Sequence, residues 1–331
     1  MFLLSRFAVL AAVLVPVLAG CGADQAKSTS PRTVVEATNA GDAANKGPVD
    51  PAFAPDRLRV LDPCALLQAV LPRQQTNTEA TPNGDVFADC FVLSYPFDGG
   101  QKLNVTLTIG KAVPEAGRDA GELVGIRVIE SQQSTRCAEK AVTQNSPPLG
   151  IVLEVDSLGT SGSSAAGQLC DPTKKMLTTI LQRIHTGPPT VSSSGTAASV
   201  DPCTLADKAT LDKVVGPAPS VGVDSLRDCS WRQNGLSLEV ALSIEQDQAQ
   251  DTAASGKPGK PVDIGSGVTA YQVDTNNGAP GCAIAWWLRN TGSTNETATV
   301  RFTNLQNVAG VDSCANAMAA AKVVATKLPK S

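Results

Sequence analysis

Histidine occurs once in these 331 residues, tyrosine twice and tryptophan three times, and aromatic residues make up only 4% of the chain. A Ser-His-Asp or Cys-His catalytic device would have to rest on the lone His185, which instead reads as the end of a helix, interacting with its dipole. No Cys-x-x-Cys occurs among the nine cysteines, which argues against a metal centre or a thiol catalyst. No phosphate-cradling glycine-rich loop is present either, and Gly265-Ser266-Gly267 is a lone turn signal. Lysine and arginine are sparse, and the net charge of −4 excludes the basic face of a nucleic-acid module. The apolar run from Phe7 to Val17 falls well short of the ~20 residues that a membrane-spanning helix needs.

What is present is a pattern that returns. Asp62-Pro63-Cys64 comes back as Asp201-Pro202-Cys203, and the next cysteine follows 26 residues later in both places, at Cys90 and Cys229. Cys137 and Cys170 map onto Cys282 and Cys314 with shifts of 145 and 144. Fixed spacing over this length marks a duplicated unit. Four cysteines per unit allow three pairings. The expectation is first with second and third with fourth: Cys64–Cys90, Cys137–Cys170, Cys203–Cys229 and Cys282–Cys314. On the loop-entropy model each such bridge contributes roughly 3 to 4 kcal/mol.

The opening residues read as an address. Arg6 supplies a positive start, the apolar run follows, and Leu18-Ala19-Gly20-Cys21 resembles the lipobox of bacterial lipoproteins at all four positions. The resemblance implies a signal peptide over residues 1–20. It also implies a Cys21 that becomes the mature N-terminus, carrying diacylglycerol and an N-acyl chain such as palmitate. Two or three acyl chains at ~0.8 kcal/mol per buried CH2 hold a protein durably. Residues 21–57 are poor in apolar periodicity and read as a tether; Ser28-Thr29-Ser30-Pro31 would suit O-glycosylation.

Within the first unit, residues 58–186, Asp62 and Pro63 are an N-cap and first-turn pair that starts a helix, limited by Pro72. In the second unit, residues 200–331, the matching helix is expected from Asp201 through Leu211, Val214 and Val215. Leu103, Val105, Leu107 and Ile109 alternate with Asn104, Thr106 and Thr108, and Leu236 to Ile244 do likewise, which marks antiparallel strands with one wet face. Each unit closes on a helix opened by a cysteine. From Cys170 it carries Leu177, Ile180, Leu181 and Ile184, and from Cys314 it carries Ala321, Val324, Ala325 and Leu328 at the same offsets. Residues 187–199 form a Pro, Ser and Gly linker. The expected fold class is α+β: two tandem repeats, each an antiparallel sheet with an N-terminal and a C-terminal helix on one face.

The Leu-Asp-Pro-Cys at Leu61 to Cys64 and the Asp-Cys-Ser-Trp at Asp228 to Trp231, behind lipobox and tether, resemble a family of actinobacterial, mycobacterial-type secreted lipoproteins with a domain of unknown function. The first half has Phe91-Val92 where the Cys-x-Trp would fall. The resemblance implies an address on the outer face of the plasma membrane and a disulfide pattern, and no site residues. A looser resemblance is to the double-disulfide extracellular sensor domains of mycobacterial serine/threonine kinases.

Function is expected to be non-enzymatic. The reading is an envelope module that binds or scaffolds a partner protein, a cell-wall polysaccharide or a lipid across the interface of its two domains, with no cofactor, no metal and no nucleic acid. The alternatives are an envelope hydrolase using acidic residues, a lipid carrier, or an extracytoplasmic sensor. Asp89, Asp228 and Glu239 read as turn and wet-face residues. In Cys282-Ala283-Ile284-Ala285-Trp286-Trp287-Leu288, alternation sets Trp287 on the face opposite Ile284, Trp286 and Leu288. It is there an exposed anchor for a partner, or a residue covered by a helix or the sister domain.

Overall fold

Hydrophobic alternation and helix caps are realised in a computed structural model that describes residues 50–71, 87–96, 102–114, 116–158, 165–191, 196–245, 259–265, 267–276, 278–290 and 295–329. The expected signal peptide, Cys21 and most of the expected tether fall on residues 1–49, which lie outside the described residues. Five α-helices are described: α1 (Pro55–Arg59), α2 (Pro63–Val70), α3 (Ala165–Thr186), α4 (Lys208–Val214) and α5 (Ser313–Lys327). Thirteen strands are described, and those of the first half are β1 (Asp89–Pro96), β2 (Lys102–Ala112), β3 (Arg118–Leu123), β4 (Ile126–Gln133), β5 (Arg136–Asn145) and β6 (Pro148–Ser157). Those of the second are β7 (Ser220–Ser225), β8 (Asp228–Gln233), β9 (Leu236–Glu245), β10 (Lys260–Asp263), β11 (Thr269–Asn276), β12 (Pro280–Asn290) and β13 (Asn295–Asn304). The protein is therefore α+β, mostly antiparallel sheet with a few helices.

All thirteen strands belong to one sheet, ordered β10-β11-β12-β13-β9-β8-β7-β2-β6-β5-β4-β3, with β1 also on β2. The two halves meet at a single ladder pair, Lys111 with Ser225, reinforced by the Leu226 N–H donating to the Gly110 carbonyl at 2.8 Å. Gly110 has a φ of +73°, and a Cβ there would sit 2.5 Å from the Leu226 side chain, so glycine serves both backbone and packing.

Four disulfides tie helices or turns to strands: Cys64–Cys90, Cys137–Cys170, Cys203–Cys229 and Cys282–Cys314. These are the pairs expected from cysteine order. Directly opposed residues of an antiparallel ladder share a face. Register runs the row Cys90, Leu107, Leu153, Glu139, Glu130, Arg118 across the first half. Cys137 lies two residues before Glu139, so both first-half disulfides leave the sheet on one face. The row Cys229, Val240, Val300, Ile284, Gln272 does the same for the second half.

Several local expectations are corrected. The second Asp-Pro-Cys opens only a short 3-10 turn, Pro202–Thr204; Asp207 then caps α4 afresh through the Thr210 N–H, so one long helix becomes a turn and a helix. Helix α3 starts at Ala165 rather than Cys170 and takes Pro172 into its interior. Pro172 is the eighth residue of α3, past the first turn where its missing N–H would cost nothing, and what offsets this is Leu169, 1% exposed, which gives the added turn an apolar reason to dock. The fold also begins before residue 58. Asp50 caps a 3-10 turn, and Phe53, fully buried, meets His185 edge-on with ring centroids 5.1 Å apart. The linker is pinned rather than free: Asp62 N–H donates to Pro189 O, Val191 N–H donates to Val60 O, and Ala197 and Ala198 are buried.

Candidate functional site at the junction of the halves

Each half sends one apolar side chain into the other's core. Leu226 packs in the cluster built on Leu107, Leu153 and Leu177, while Phe87 packs in the cluster of Trp231, Trp286 and Phe302. Between them lies Arg227, 5% exposed. Its guanidinium donates to the carbonyls of Ala198 at 2.6 Å, Phe87 at 3.1 Å and Arg59, and sits 4.8 Å from the Phe87 ring centroid. A second arginine crosses in the other direction: Arg59 donates through Nε to Leu226 O at 3.3 Å and pairs with Asp201 at 2.9 Å. Burying a guanidinium is tolerable only when its donors are met, and here backbone carbonyls from both halves and the linker meet them. The junction is thereby held in one arrangement.

Against this junction opens a cleft of about 310 Å³, near the lower end of the size range of ligand sites. Its walls come from both halves: Asp56 and Arg59 of α1, Gln144, Pro147 and Leu149 of the β5–β6 turn, Asp201 to Cys203, and Val223 to Asp228 around the β7–β8 turn. The lining is mixed. Asp201 is held by Arg59 and by the Cys203 N–H at 2.9 Å, and Asp228 accepts from the Ser225 and Asp224 N–H groups, each at 3.1 Å, and from the Ser225 hydroxyl. These carboxylates shape turns.

The other expected residues are dispersed. Trp287 stands 43% exposed on the face opposite the buried Trp286, with the Tyr271 ring tilted against it at 6.2 Å, and it does not line the cleft. Glu239 is a wet-face residue paired with Arg301 at 3.1 Å. His185, exposed at the end of α3, lies 3.5 Å from Asp50. Asp274 gathers with Cys282 and Cys314, but both sulfurs are spent in a disulfide, so they offer no metal thiolates.

Three buried acids among the described residues escaped sequence reasoning, and one of them, Glu296, is paired with Arg289 at 2.5 Å. Glu139 is fully buried and Glu130 is 7% exposed, and they stand directly opposite each other on β5 and β4. The carboxyl of Glu139 is pushed up to about 7 by burial first and by the negative charge of Glu130 next. The signal was available: Cys137 fixes which face of β5 meets a helix, and Glu139 shares that phase.

Among the described residues no helix is long and apolar enough to cross a membrane. Disulfides of this kind persist where the compartment is oxidising, which fits an exported protein. No family model and no curated protein matches the chain. Among solved structures, it is similar to DynU16 from the dynemicin biosynthetic locus, at 11% identity over 84% of this chain and 90% of that one, with a TM-score of 0.19. It is also similar to the di-domain ARO/CYC proteins StfQ of the steffimycin pathway and BexL of the BE-7585A pathway. For StfQ the identity is 10% over 80% of this chain and 94% of that one (TM-score 0.15), and for BexL 13% over 86% and 96% (TM-score 0.17). Likenesses at these scores carry no argument about activity.

Proposed function

We propose that this chain is a cell-envelope lipoprotein, anchored to the outer face of the plasma membrane by acyl chains on Cys21, whose folded part is a non-enzymatic binding or scaffolding module. Its ligand, an envelope protein, cell-wall polysaccharide or lipid, engages the cleft between two copies of one α+β unit. The four-position lipobox supports the anchor. The duplication is supported by strand order: β3-β4-β5-β6-β2-β1 in one half matches β10-β11-β12-β13-β9-β8 in the other, with equivalent disulfides on equivalent strands. Domains over 58–186 and 200–331 follow from that reading.

The observation that carries the binding role is the cleft itself, assembled from both halves and held open by Arg59 and Arg227. A preformed site loses little ordering entropy on binding. Binding is favoured over acid-catalysed hydrolysis because Asp201 and Asp228 are engaged in turns, while the described acids whose pKa is raised, Glu139 and Asp156, do not line the cleft. Hydrolysis needs paired carboxyls that reach a substrate.

The test has two arms. Cys21→Ala should move the protein from the membrane to the soluble fraction, and unchanged membrane retention would remove the anchor. Gln144→Trp, at a half-buried position on the cleft wall, should fill the cleft and abolish the material seen by native mass spectrometry on protein purified from its host. Retention of that material at wild-type level would remove the cleft as the site.

A further inference from the structure

The most unusual group in the molecule lies outside the cleft. Glu139 is 0% exposed and neither of its oxygens has a hydrogen-bond partner, although it faces the Glu130 carboxyl across the β4–β5 ladder. An ionised carboxylate buried without a donor is among the most expensive states a fold can hold, and a second carboxylate opposite makes it worse.

Among the described residues, the charged groups of the elements packed against the pair can be named. Arg118 on edge strand β3 holds Glu130 at 2.7 Å from an outer position, its side chain 73% exposed. Lys174 on α3 donates its ammonium to Ala120 O of β3 at 3.1 Å, and its charge favours ionised Glu139. On β6 the residue opposite Glu139 is the apolar Leu153. Arg136 and Lys140, odd-numbered steps away on β5, point to the other face, where Arg136 pairs with Glu154 and Lys140 donates to Ser131 at 2.8 Å. Asp171 and Lys175 of α3 are exposed.

Arg118 donates to Glu130 at 2.7 Å while Glu139 has no donor of its own, so of the two carboxyls Glu139 is the better holder of a proton. A metal cation is a poor alternative occupant because Arg118 and Lys174 already supply positive charge. We propose that Glu139 and Glu130 hold one proton between them and that Lys174 responds to it: with the proton present Lys174 anchors β3 through Ala120 O, and with it lost to water the ammonium turns to the ionised pair and releases β3.

The sign follows from the direction of the shift. Glu139 is raised from 4.5 to about 7, so the protonated folded state is the favoured one. Its stabilisation is fully present below the ordinary glutamate range and is lost as pH rises through about 7. The Cys137–Cys170 disulfide keeps α3 attached throughout, which confines the change to the edge strand.

The test uses the mature, disulfide-bonded protein. Carboxyl-carbon NMR should show Glu139 titrating near neutrality, and hydrogen exchange, corrected for the intrinsic rate, should show the protection of β3 amides falling by up to about tenfold per pH unit as pH rises toward that midpoint and levelling off above it. In Glu139→Gln, which is neutral and can donate to Glu130, β3 protection should be independent of pH. In Lys174→Met, β3 should be weakly protected at every pH. Titration of Glu139 in the ordinary carboxyl range would overturn the shared proton. A normal Glu139 titration near neutrality with β3 protection unchanged would overturn the part assigned to Lys174.

Discussion

The two halves solve the same packing problem in opposite ways. Beneath α3 the bulk is on the helix: Leu177, Ile180, Leu181 and Ile184 are all buried over a sheet position as small as Ala141. Beneath α5 the bulk is on the sheet. Ala317, Ala320 and Ala321 are fully buried on the helix, and Trp286 and Phe302 rise to meet them. Trp286 stands as far from Cys282 as Ala141 from Cys137, and Ala321 as far from Cys314 as Leu177 from Cys170. Interiors fill to a nearly constant density, so volume lost from one layer must appear in the other. The same comparison isolates the acid pair: where the first half carries Glu139 and Glu130, the matching row carries Ile284 and Gln272. One half has an uncharged pair there, and the other has a titratable one.

The largest expected effect tests this exchange of volumes. Trp286→Ala should lower unfolding free energy by about 3–5 kcal/mol in urea denaturation, and Ala321→Leu added to it should restore part of that loss. Leucine at Ala321 alone should cost about 1–3 kcal/mol by overpacking. If the double variant is no better than Trp286→Ala, the two layers do not share one space.

Next comes the covalent frame. Replacing both Cys137 and Cys170 by serine should cost about 3 kcal/mol, and replacing Cys282 and Cys314 nearly the same, because their separations are 33 and 32 residues. Unequal losses in thermal melts would show that the halves differ in denatured-state structure as well as in packing. Helix starts give a smaller effect. Asp62 caps α2 through the Ala65 N–H at 2.9 Å and Asp312 caps α5 through the Ala315 N–H at 3.0 Å, so alanine at either should cost about 1 kcal/mol in the same melts. The smallest effect is at Trp287. Alanine there should change stability by less than about 0.5 kcal/mol, yet remove the iodide-quenchable part of tryptophan emission, since Trp231 and Trp286 are 3% and 1% exposed.

Much of this architecture was legible because it is periodic. Cysteine spacing returned the disulfide partners, two-residue alternation returned β2 and β9 though not the short strands β3, β7 and β10, and the alternation around Trp286 and Trp287 separated a core residue from a surface one. What was illegible has no period. The junction rests on one ladder pair at Lys111 and Ser225, and nothing in either strand announces a partner from the other half. Phe53 sits in a stretch otherwise composed like the tether, and its burial depends on meeting His185 and α1, which composition does not encode. Pro172 reads as a helix boundary by its usual chemistry, but Leu169 and the Cys137–Cys170 bond hold an additional turn in front of it. Glu139 was legible only once the phase of Cys137 was known.

The reciprocal placement of Phe87 and Leu226 has a bearing on how the molecule is made. Phe87 leaves the ribosome well before the core that will enclose it, and the first core waits for Leu226 to be complete. Neither core can close alone, so the chain commits to its native state only once both Phe87 and Leu226 have been made and brought together. Until then a phenyl ring in one half and an unfilled socket in the other are what a chaperone or protease would meet.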